Sequence, residues 1–434
     1  MNEQMMRKNN MKLFPTYKMF AWDLLFYYAI IFLFLTQVKG FTVSQILIAD
    51  AVYSIFRIVF QIPCINIIDS IGKQKALLLG NILVTISSIG VTIGNSFFLL
   101  IILYFLEAMG YNFKGLCEPT ILSDSIPKSS VSQKIYSKID GKGSSKYYMF
   151  DAISSVTTGF LYVINPYIPM ILCCVFCLIS TLISLSFEEP LASKKEKKES
   201  VGFIKYYKDT FSIFKQIKSS NRLKSLLIFS LCFRGITVIF GTLRSSILVD
   251  IGMPEQYFGV IIAVMQIVSS ISSRNQHWFH NKFRNRALSW FSLSVATAYI
   301  IMGLVVICDI SFIVSLIFVL ATIMLMGIIL GPYFTLMQRY LNSFSNPKVN
   351  TKIFAINSLL ENLGRVLISL VASFLLGITT TAYSFVIIGC LFFIIFIFLL
   401  DNMKSKVGLN PEEYPDEDLV FASKDDLAHI YEKK

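Results

Sequence analysis

The sequence has few charged residues: Asp, Glu, Lys and Arg make up 15% of its 434 residues, while 55% are hydrophobic. A chain of this composition cannot cover a folded core with polar surface, so a water-soluble protein is excluded. Histidine is also scarce, with three residues. No group of His, Cys, Asp and Glu has the spacing of a catalytic or metal site, which disfavours an enzyme. We therefore expect no metal and no cofactor.

Two motifs are missing as well. There is no G-x-x-x-x-G-K-[ST] phosphate loop, so nucleotide hydrolysis is not the expected energy source. The first apolar segment has no A-x-A cleavage site and is long enough to cross a bilayer, so we expect it to be retained. Cys173, Cys174 and Cys177 lie close together without a partner histidine or a second C-x-x-C, which favours apolar packing over metal binding.

The chain does contain many long apolar runs. Each is close to the roughly 20 residues that a helix needs to cross about 30 Å of hydrocarbon. A charged stretch with ten Lys and Arg divides them at 188–224. We predict a first six-helix bundle at 1–187, a basic cytoplasmic linker at 188–224, a second six-helix bundle at 225–402 and a cytoplasmic tail at 403–434. The predicted spans are Phe20–Val38, Ser44–Ile68, Ala76–Gly94, Phe98–Leu122, Tyr147–Ile164, Tyr167–Phe187, Leu226–Val249, Tyr257–Ser273, Leu288–Cys308, Ser311–Met337, Ile353–Leu376 and Ala382–Leu400.

Lysine and arginine residues occupy alternate loops. The N-terminus, the loops after even-numbered spans and the linker are basic, whereas the other loops contain only Lys39. By the positive-inside rule both termini are cytoplasmic, in a multi-pass protein of the plasma membrane. The same rule explains the net charge of +12 without a nucleic-acid partner. Aromatic residues at helical spacing among lysines, from Phe203 to Lys218, predict an amphipathic helix on the inner membrane surface. Richness in Lys, Ile, Phe and Asn fits a bacterial source.

Polar side chains inside spans are expensive in hydrocarbon and mark candidate sites. The second span carries Asp50, Tyr53, Arg57 and Gln61 at spacings of three and four residues, which places them on one helical face. Such a face must point into the bundle or into water. Either it forms a structural ion pair with the fourth span, or it lines a pathway for a solute or protons, which we favour.

The fourth span has a similar polar face with Glu107, Lys114 and Glu118. Lys114 and Glu118 are one turn apart and are predicted to pair. Glu107 is our first choice as a proton carrier, because its apolar surroundings make the ionised carboxylate costly. Asp50 is the second choice.

The second half also carries polar residues inside its spans. Arg234 lies on the seventh span and Gln266 on a polar face of the eighth. Glu361 and Arg365 lie one turn apart on the eleventh span and are predicted to pair, either structurally or as part of a gate. Four cationic side chains inside the spans, Arg57, Lys114, Arg234 and Arg365, favour an anionic or zwitterionic solute, although Glu118 and Glu361 can neutralise two of them.

Glycine patterns predict local structure at two places. The run Asp-Gly-Lys-Gly at 140–143 predicts a turn before the fifth span, whose helix Ser144 or Ser145 would cap. In the tenth span, Gly327 and Gly331 lie four residues apart, which predicts a close approach of another helix.

The loop after the second span reads Asp69-Ser-Ile-Gly72-Lys73-Gln-Lys75. Its glycine permits a tight turn, and its aspartate lies at a helix end where donors can hold it. This loop resembles the signature loop of the major facilitator superfamily, G-x-x-x-D-[RK]-x-G-[RK]-[RK], at Asp69, Gly72 and Lys73. It departs from that pattern at Ile65, Ser70 and Gln74.

The resemblance implies an all-α integral membrane protein of twelve helices in two six-helix bundles, which rock about a site at the membrane midplane. Spans 1, 2, 4, 5, 7, 8, 10 and 11 would then face the central cavity. Asp69, Gly72 and Lys73 would form a gating loop. The candidate residues of the solute and proton pathway are Asp50, Arg57, Gln61, Glu107, Lys114, Glu118, Arg234, Gln266, Glu361 and Arg365.

The function expected from these features is secondary transport of a small solute by alternating access, coupled to protons, by a monomer in the lipid bilayer. One alternative is a multidrug or xenobiotic exporter, although the fifth span lacks the G-P-x-x-G-G motif of the superfamily's drug antiporters. A second alternative is a receptor or assembly factor that keeps this fold without transport.

Overall fold

Helices account for all the regular secondary structure that the structure describes. The computed structural model describes residues 3–127, 132–188, 221–283, 287–343 and 350–403, with fourteen α-helices and no strands in those ranges. An apolar run in hydrocarbon must bond its backbone groups internally, which a helix does. Ten of the described helices are long and apolar enough to cross a membrane. The predicted all-α membrane class is confirmed, while the count of twelve spans and the cytoplasmic termini stay predictions.

The chain divides into two compact units. The first comprises Met1–Tyr206 and Pro254–Ala263, and the second comprises Tyr207–Met253 and Val264–Lys434. Residues 254–263 join the first unit because they pack on its sixth helix: a Cβ at Gly259 would lie 1.8 Å from the Ser155 carbonyl oxygen. The predicted domain limits stay predictions. The predicted linker helix and the tail lie outside the described residues.

The helices of the first unit are α1 Glu3–Ala21, α2 Ile31–Leu33, α3 Val43–Ile71, α4 Lys73–Ile93, α5 Phe97–Ser125, α6 Ser132–Ile164 and α7 Tyr167–Leu185, and a π-helical turn, Phe34–Val38, continues α2. The remaining helices are α8 Asn221–Asp250, α9 Phe258–Arg274, α10 Gln276–Phe283, α11 Ala287–Ile307, α12 Phe312–Ser343, α13 Asn350–Ile378 and α14 Thr381–Met403. All but the first six residues of α9 belong to the second unit, as do α8 and α10–α14.

The prediction of one continuous helix over Phe20–Val38 is wrong. α1 ends at Ala21, and helix resumes at Ile31. Between them the chain forms bends and turns, and Phe26 has a left-handed φ of 62°. Asp23 takes part in the break because its carboxylate accepts a hydrogen bond from the Leu24 N–H, a local bond that competes with helical pairing. The predicted first span therefore begins with the last two residues of α1, continues as an irregular segment over 22–30 and becomes helical again at Ile31.

The predicted turn at 140–143 is also wrong, because α6 runs without interruption from Ser132 to Ile164. Tertiary packing outweighs the turn propensity of the two glycines. A Cβ at Gly143 would lie 3.0 Å from the side chain of Lys18, so glycine here lets α1 and α6 approach closely. Lys18 and Asp140 then form an ion pair of 2.5 Å across the same contact.

Two other glycine predictions are confirmed. Gly72 separates α3 from α4 with a φ of 90°, as a tight turn between the second and third spans requires. In the second unit, a Cβ at Gly331 would lie 2.1 Å from the Ser269 carbonyl oxygen, so α12 and α9 meet backbone to backbone. The Ser269 hydroxyl donates to the Gly327 carbonyl at 2.9 Å in the same crossing.

Candidate functional site

The irregular segment of the first span carries an acidic residue, Asp23. Non-helical backbone and an ionisable side chain are each tolerated at membrane depth only where protein or water surrounds them. The half-buried Asp23 side chain is surrounded by protein, because hydroxyl groups contact its carboxylate. Its Oδ1 accepts hydrogen bonds from the Tyr28 hydroxyl at 2.8 Å and the Tyr111 hydroxyl at 2.9 Å. Together with the Leu24 N–H, three donors converge on one carboxylate oxygen.

Tyr111 connects this acid to two of the predicted cationic residues. The Arg57 guanidinium carbon lies 5.9 Å from the centroid of the Tyr111 ring, and the Lys114 ammonium lies 4.8 Å from it. Both distances are those of cation–π contacts. The adjacent Asn112 amide donates to the Arg57 carbonyl at 3.1 Å, which joins α3 to α5. The structure thus brings Arg57 and Lys114 together around one tyrosine, with Asp23 at its hydroxyl.

Lys114 and Glu118, predicted to pair, have separate partners. The Lys114 ammonium donates to the carbonyl of Ala21, the last residue of α1. The Glu118 carboxylate accepts from the Tyr17 hydroxyl at 2.8 Å. Tyr17 in turn accepts from the Asn81 amide at 3.0 Å, so a buried hydrogen-bonded chain links α1, α4 and α5.

Glu107, the predicted proton carrier, is buried, with 7% of its surface exposed. Its surroundings are less apolar than the sequence indicated. Tyr27, Tyr28 and Tyr111 lie within electrostatic reach of its carboxylate. Glu107 therefore belongs to the same tyrosine-rich region as Asp23.

Two further predicted residues of α3, Asp50 and Gln61, are half-buried. Asp50 lies two turns before Arg57 and Gln61 one turn after it, which is about 10 Å and 6 Å along the helix axis. The Asp50 carbonyl accepts from the Ser54 hydroxyl at 2.9 Å. The polar face predicted from their spacing therefore contacts Tyr111 through Arg57. Asp50 and Gln61 lie on the same face, on either side of Arg57 along the helix.

A second polar cluster lies inside the second unit. The Glu361 carboxylate accepts from the Ser230 hydroxyl at 3.0 Å and from the Asn357 amide at 2.8 Å. Arg234 lies within electrostatic reach of Glu361 and Arg365, and its guanidinium carbon is 5.0 Å from the centroid of the Phe334 ring. Three predicted residues, Arg234, Glu361 and Arg365, are therefore neighbours.

The Asn357 side chain leaves one polar atom of this cluster unsatisfied. Its Oδ1 is buried and accepts no hydrogen bond in the described part of the chain. A buried acceptor of this kind is costly unless a ligand or water meets it. Gln266 is half-buried on α9, next to Met265, whose sulfur accepts from Arg244 at 3.2 Å.

The signature turn contains an ion pair that its sequence did not indicate. The Lys73 ammonium lies 2.5 Å from the Asp124 carboxylate, near the end of α5. Asp69, predicted to be held by donors at the helix end, is exposed. Lys73 therefore ties the turn between α3 and α4 to a third helix.

A cavity of about 170 Å³ lies where α1, α5 and α6 meet. It is large and polar enough for several water molecules. The Lys18–Asp140 ion pair lines it, and the Lys18 ammonium lies 4.0 Å from the centroid of the Trp22 ring. Burial raises the pKa of the Tyr136 phenol in its wall, and the charges of Asp140 and Glu118 raise it further. The lining residues are Phe14, Lys18, Trp22, Glu118, Pro119, Tyr136 and Asp140.

The sequence-based prediction missed Asp23 and the tyrosines around it. Asp23 lies inside the predicted first span, and a single acid in an apolar run is itself a signal, because it is costly in hydrocarbon. The tyrosines were indistinguishable from other aromatic residues in a chain with 20 Tyr and 38 Phe.

Solved structures with the same fold are transporters. The nucleoside transporter NupG, in a mutant form, superimposes with a TM-score of 0.70 at 12% identity, over 93% of this chain and 100% of that one. A D-xylose–proton symporter gives 0.63 at 12% identity, over 91% and 96%. A POT family transporter in complex with 5-aminolevulinic acid gives 0.63 at 16% identity, over 92% and 95%. At these identities the likeness establishes the fold.

Comparison with curated protein sequences gives no significant match. The sequence profile of the Major Facilitator Superfamily matches residues 16–341, which is most of the chain. The matched family and these structural neighbours point to a transporter rather than an enzyme. The chain therefore belongs to the major facilitator superfamily of membrane transporters.

Proposed function

We propose that the chain is a secondary transporter that moves a small charged solute by alternating access, coupled to protons. The observation that supports this most is the broken first span. It presents Asp23 among tyrosine hydroxyls, next to Arg57 and Lys114. Irregular backbone and a carboxylate both carry a high cost in a membrane, and a polar transport pathway is the usual reason for them.

Glu107 is the proposed proton carrier. A buried carboxyl group can hold a proton in one state of a transporter and release it when the nearby charge changes, and Glu107 is 7% exposed. Tyr111 lies within electrostatic reach of Glu107 and donates a hydrogen bond to Asp23. A solute that binds to Asp23 would therefore change the charge near Glu107. Asp50 is the second candidate, since it lies half-buried on the face that carries Arg57.

The charges of the two clusters support an anionic or zwitterionic solute. Three donors occupy Oδ1 of Asp23, so Oδ2 is the atom that we expect a cationic group to meet. Arg57 offers positive charge beside it. In the second unit, Arg234 and Arg365 supply two positive charges against the single carboxylate of Glu361. An acidic group is the expected partner of those arginines.

The structural neighbours also support proton coupling and a small solute. One is named a D-xylose–proton symporter, one a nucleoside transporter, and one was solved with 5-aminolevulinic acid. The solutes in these names are small and polar. We further propose a monomer in a bacterial plasma membrane, with both termini in the cytoplasm and with Asp69, Gly72 and Lys73 as a gating loop.

The test uses purified protein in liposomes that contain a pH-sensitive dye. Nucleosides, D-xylose, short peptides, 5-aminolevulinic acid, other amino acids and organic anions are added one at a time. We expect one zwitterionic or anionic class to move protons together with solute. Glu107→Gln should abolish the proton signal, whereas Glu3→Gln, the same chemical change outside the cluster, should leave it intact.

Each result is informative. Solute uptake without proton movement would remove Glu107 as carrier and keep the transporter. Uptake of neutral sugars alone would contradict the charged solute. A complete lack of flux, together with measurable binding of one of these solutes, would contradict transport and favour a receptor.

A further inference from the structure

Arg244 is a buried arginine of the second unit whose described surroundings contain no acidic partner. It lies on α8 with 8% of its surface exposed. Among the described residues, no charged side chain lies within electrostatic reach of its guanidinium, whereas Arg234 on the same helix has Glu361 within reach. A buried charge without a counter-ion is costly. Arg244 therefore needs a counter-ion that the described part of the chain does not supply.

The hydrogen-bonding capacity of the Arg244 guanidinium is also largely unused in the ranges that the structure describes. Its Nη1 donates to the Met265 sulfur at 3.2 Å, and its buried Nε donates to no acceptor there. A thioether sulfur is a weak acceptor, and the Phe240 ring, with its centroid 5.7 Å away, is a weaker cation–π partner than tryptophan. An arginine edge with available N–H groups binds a carboxylate or phosphate through two parallel hydrogen bonds.

Open space adjoins the same turn of α8. Long side chains on a helix lie back over the preceding turn, and the contact with Phe240, four residues earlier, shows that Arg244 does so. Gly241 belongs to that turn. A Cβ at Gly241 would meet no heavy atom within 4 Å in the part of the chain that the structure describes. A small ligand therefore has room over this glycine, next to the turn on which the guanidinium lies.

We propose that Arg244 anchors an anion site in the second unit, which binds the carboxylate or phosphate group of a small water-soluble molecule over Gly241. Such a group supplies both the missing negative charge and an acceptor for the Nε–H. Along α8 the site is about 15 Å from Arg234, so it is separate from the Glu361 cluster. The inference goes beyond the proposed function, because binding at this site requires neither transport nor proton coupling.

A lipid headgroup has the same chemistry as a soluble phosphate. Arg244 is more than nine-tenths buried by protein, and a lipid that lies against the outside of the helices reaches only the remaining surface. The burial of the guanidinium therefore favours a small soluble anion, and the experiment includes both sources.

The first measurement is the thermal unfolding temperature, Tm, of the purified full-length protein in a neutral detergent and dilute chloride buffer. Arg244→Met keeps a long side chain and removes the unpaired charge, so its Tm should equal or exceed that of wild type. Arg234→Met, the control, should have a lower Tm because Glu361 loses a positive neighbour. A lower Tm of Arg244→Met, or failure of this variant to fold, would show that the protein itself satisfies the guanidinium and would overturn the proposal.

The second measurement adds phosphate, acetate or 5-aminolevulinate, with D-xylose as a neutral comparison. At saturation, at least one of these oxyanions should raise the Tm of wild type by about 3 °C or more. Arg234→Met should keep this rise, and Arg244→Met should lose it. Arg244→Lys should show a smaller rise than wild type, because the charge remains and the planar guanidinium does not.

The outcomes that would overturn the proposal are distinct. One is an equal response of wild type and Arg244→Met to every oxyanion, and another is a rise with D-xylose as large as that with the oxyanions. A rise with added phosphatidylglycerol and with none of the soluble oxyanions would assign Arg244 to a lipid headgroup and would also overturn it. A lack of proton-coupled uptake in liposomes would contradict the proposed function alone.

Discussion

The Tyr111 hydroxyl donates a 2.9 Å hydrogen bond to Asp23 across 88 residues of sequence. The bond joins α5 to the irregular part of the first span. The ring of the same tyrosine faces Arg57 and Lys114, so one side chain contacts an acid and two bases. Tyr111 therefore fixes the distance between the negative and positive groups of the first cluster.

Tyr111→Phe should weaken solute binding while leaving the fold intact, because the ring remains and one of three donors to Asp23 is lost. A hydrogen bond to a charged group contributes about 1.5–3 kcal/mol, which predicts at least a roughly 10-fold rise in the half-saturating solute concentration. Initial uptake rates in liposomes, measured over a range of solute concentrations, give the half-saturating concentration. Tyr167→Phe, which removes a hydroxyl outside the cluster, is the control. Equal half-saturating concentrations for the two variants would contradict a role of Tyr111 in positioning Asp23.

Arg57→Ala should lower the affinity for an anionic or zwitterionic solute by about 10-fold or more, since a charge-assisted contact is lost. Arg57→Lys should recover part of the loss, because the charge remains and the planar guanidinium does not. Arg7→Ala, which removes an arginine that pairs with Glu3 within α1 and lies outside the candidate residues, serves as the control. Solute binding by the detergent-purified protein, measured calorimetrically, distinguishes them, and an unaffected Arg57→Ala would show that this arginine is structural.

The crossing of α8 and α13 offers a matched pair of glycines. A Cβ at Gly364 would lie 2.2 Å from the Leu231 carbonyl oxygen, whereas one at Gly377, on the same helix, would meet no heavy atom within 4 Å in the part of the chain that the structure describes. Gly364→Ala should therefore destabilise the second unit by about 1–3 kcal/mol. Gly377→Ala should be neutral or should stabilise it by up to about 1 kcal/mol.

Thermal unfolding followed by circular dichroism measures both variants. Because Gly364 adjoins Arg365 in sequence, solute transport should fall with Gly364→Ala and not with Gly377→Ala. Equal Tm values for Gly364→Ala and Gly377→Ala would mean that α8 and α13 can move apart at this crossing without a loss of stability.

The Lys73–Asp124 ion pair predicts coupling between the signature turn and α5. Both side chains are about 30% exposed, so the pair is worth at most about 1 kcal/mol. Lys73→Gln and Asp124→Asn should each lower the maximal uptake rate about 2- to 5-fold, with little change in the half-saturating solute concentration. The double variant should be no slower than either single variant, since all three lack the same contact.

Arg7→Gln is the control for this pair, because Arg7 and Glu3 form an ion pair of 2.8 Å within one helix. Its uptake rate should match that of wild type. Additive losses in the Lys73 and Asp124 variants would mean that the two residues act independently and that the turn is not coupled to α5 through them.

The amino-acid sequence by itself determined the helical membrane class and most helix positions. Apolar runs of about 20 residues must form helices in hydrocarbon, because a helix alone bonds every backbone group within one segment. Local chemistry also determined Gly72, where a tight turn needs a positive φ. The spacing of Gly327 and Gly331 likewise predicted the close helix crossing that the structure contains.

Only the tertiary structure decided where contacts between distant residues override the hydropathy and local turn signals. The run from Phe20 to Val38 is apolar enough for a helix and contains neither Gly nor Pro, yet it breaks. At the break, Tyr111 and Lys114 donate hydrogen bonds to Asp23 and Ala21, which lie about 90 residues earlier in the chain. Hydropathy averages over neighbours in sequence, so it cannot register a hydrogen bond supplied by another helix.

The same reason explains α6 and the candidate residues. The glycines at 141 and 143 favour a turn in isolation, but packing of α1 against Gly143 keeps the helix continuous. Helical spacing predicted a Lys114–Glu118 pair from proximity along one face of the fourth span. The structure gives each residue a partner on α1 instead, because helix ends and buried hydroxyls compete for charges once the chain has folded.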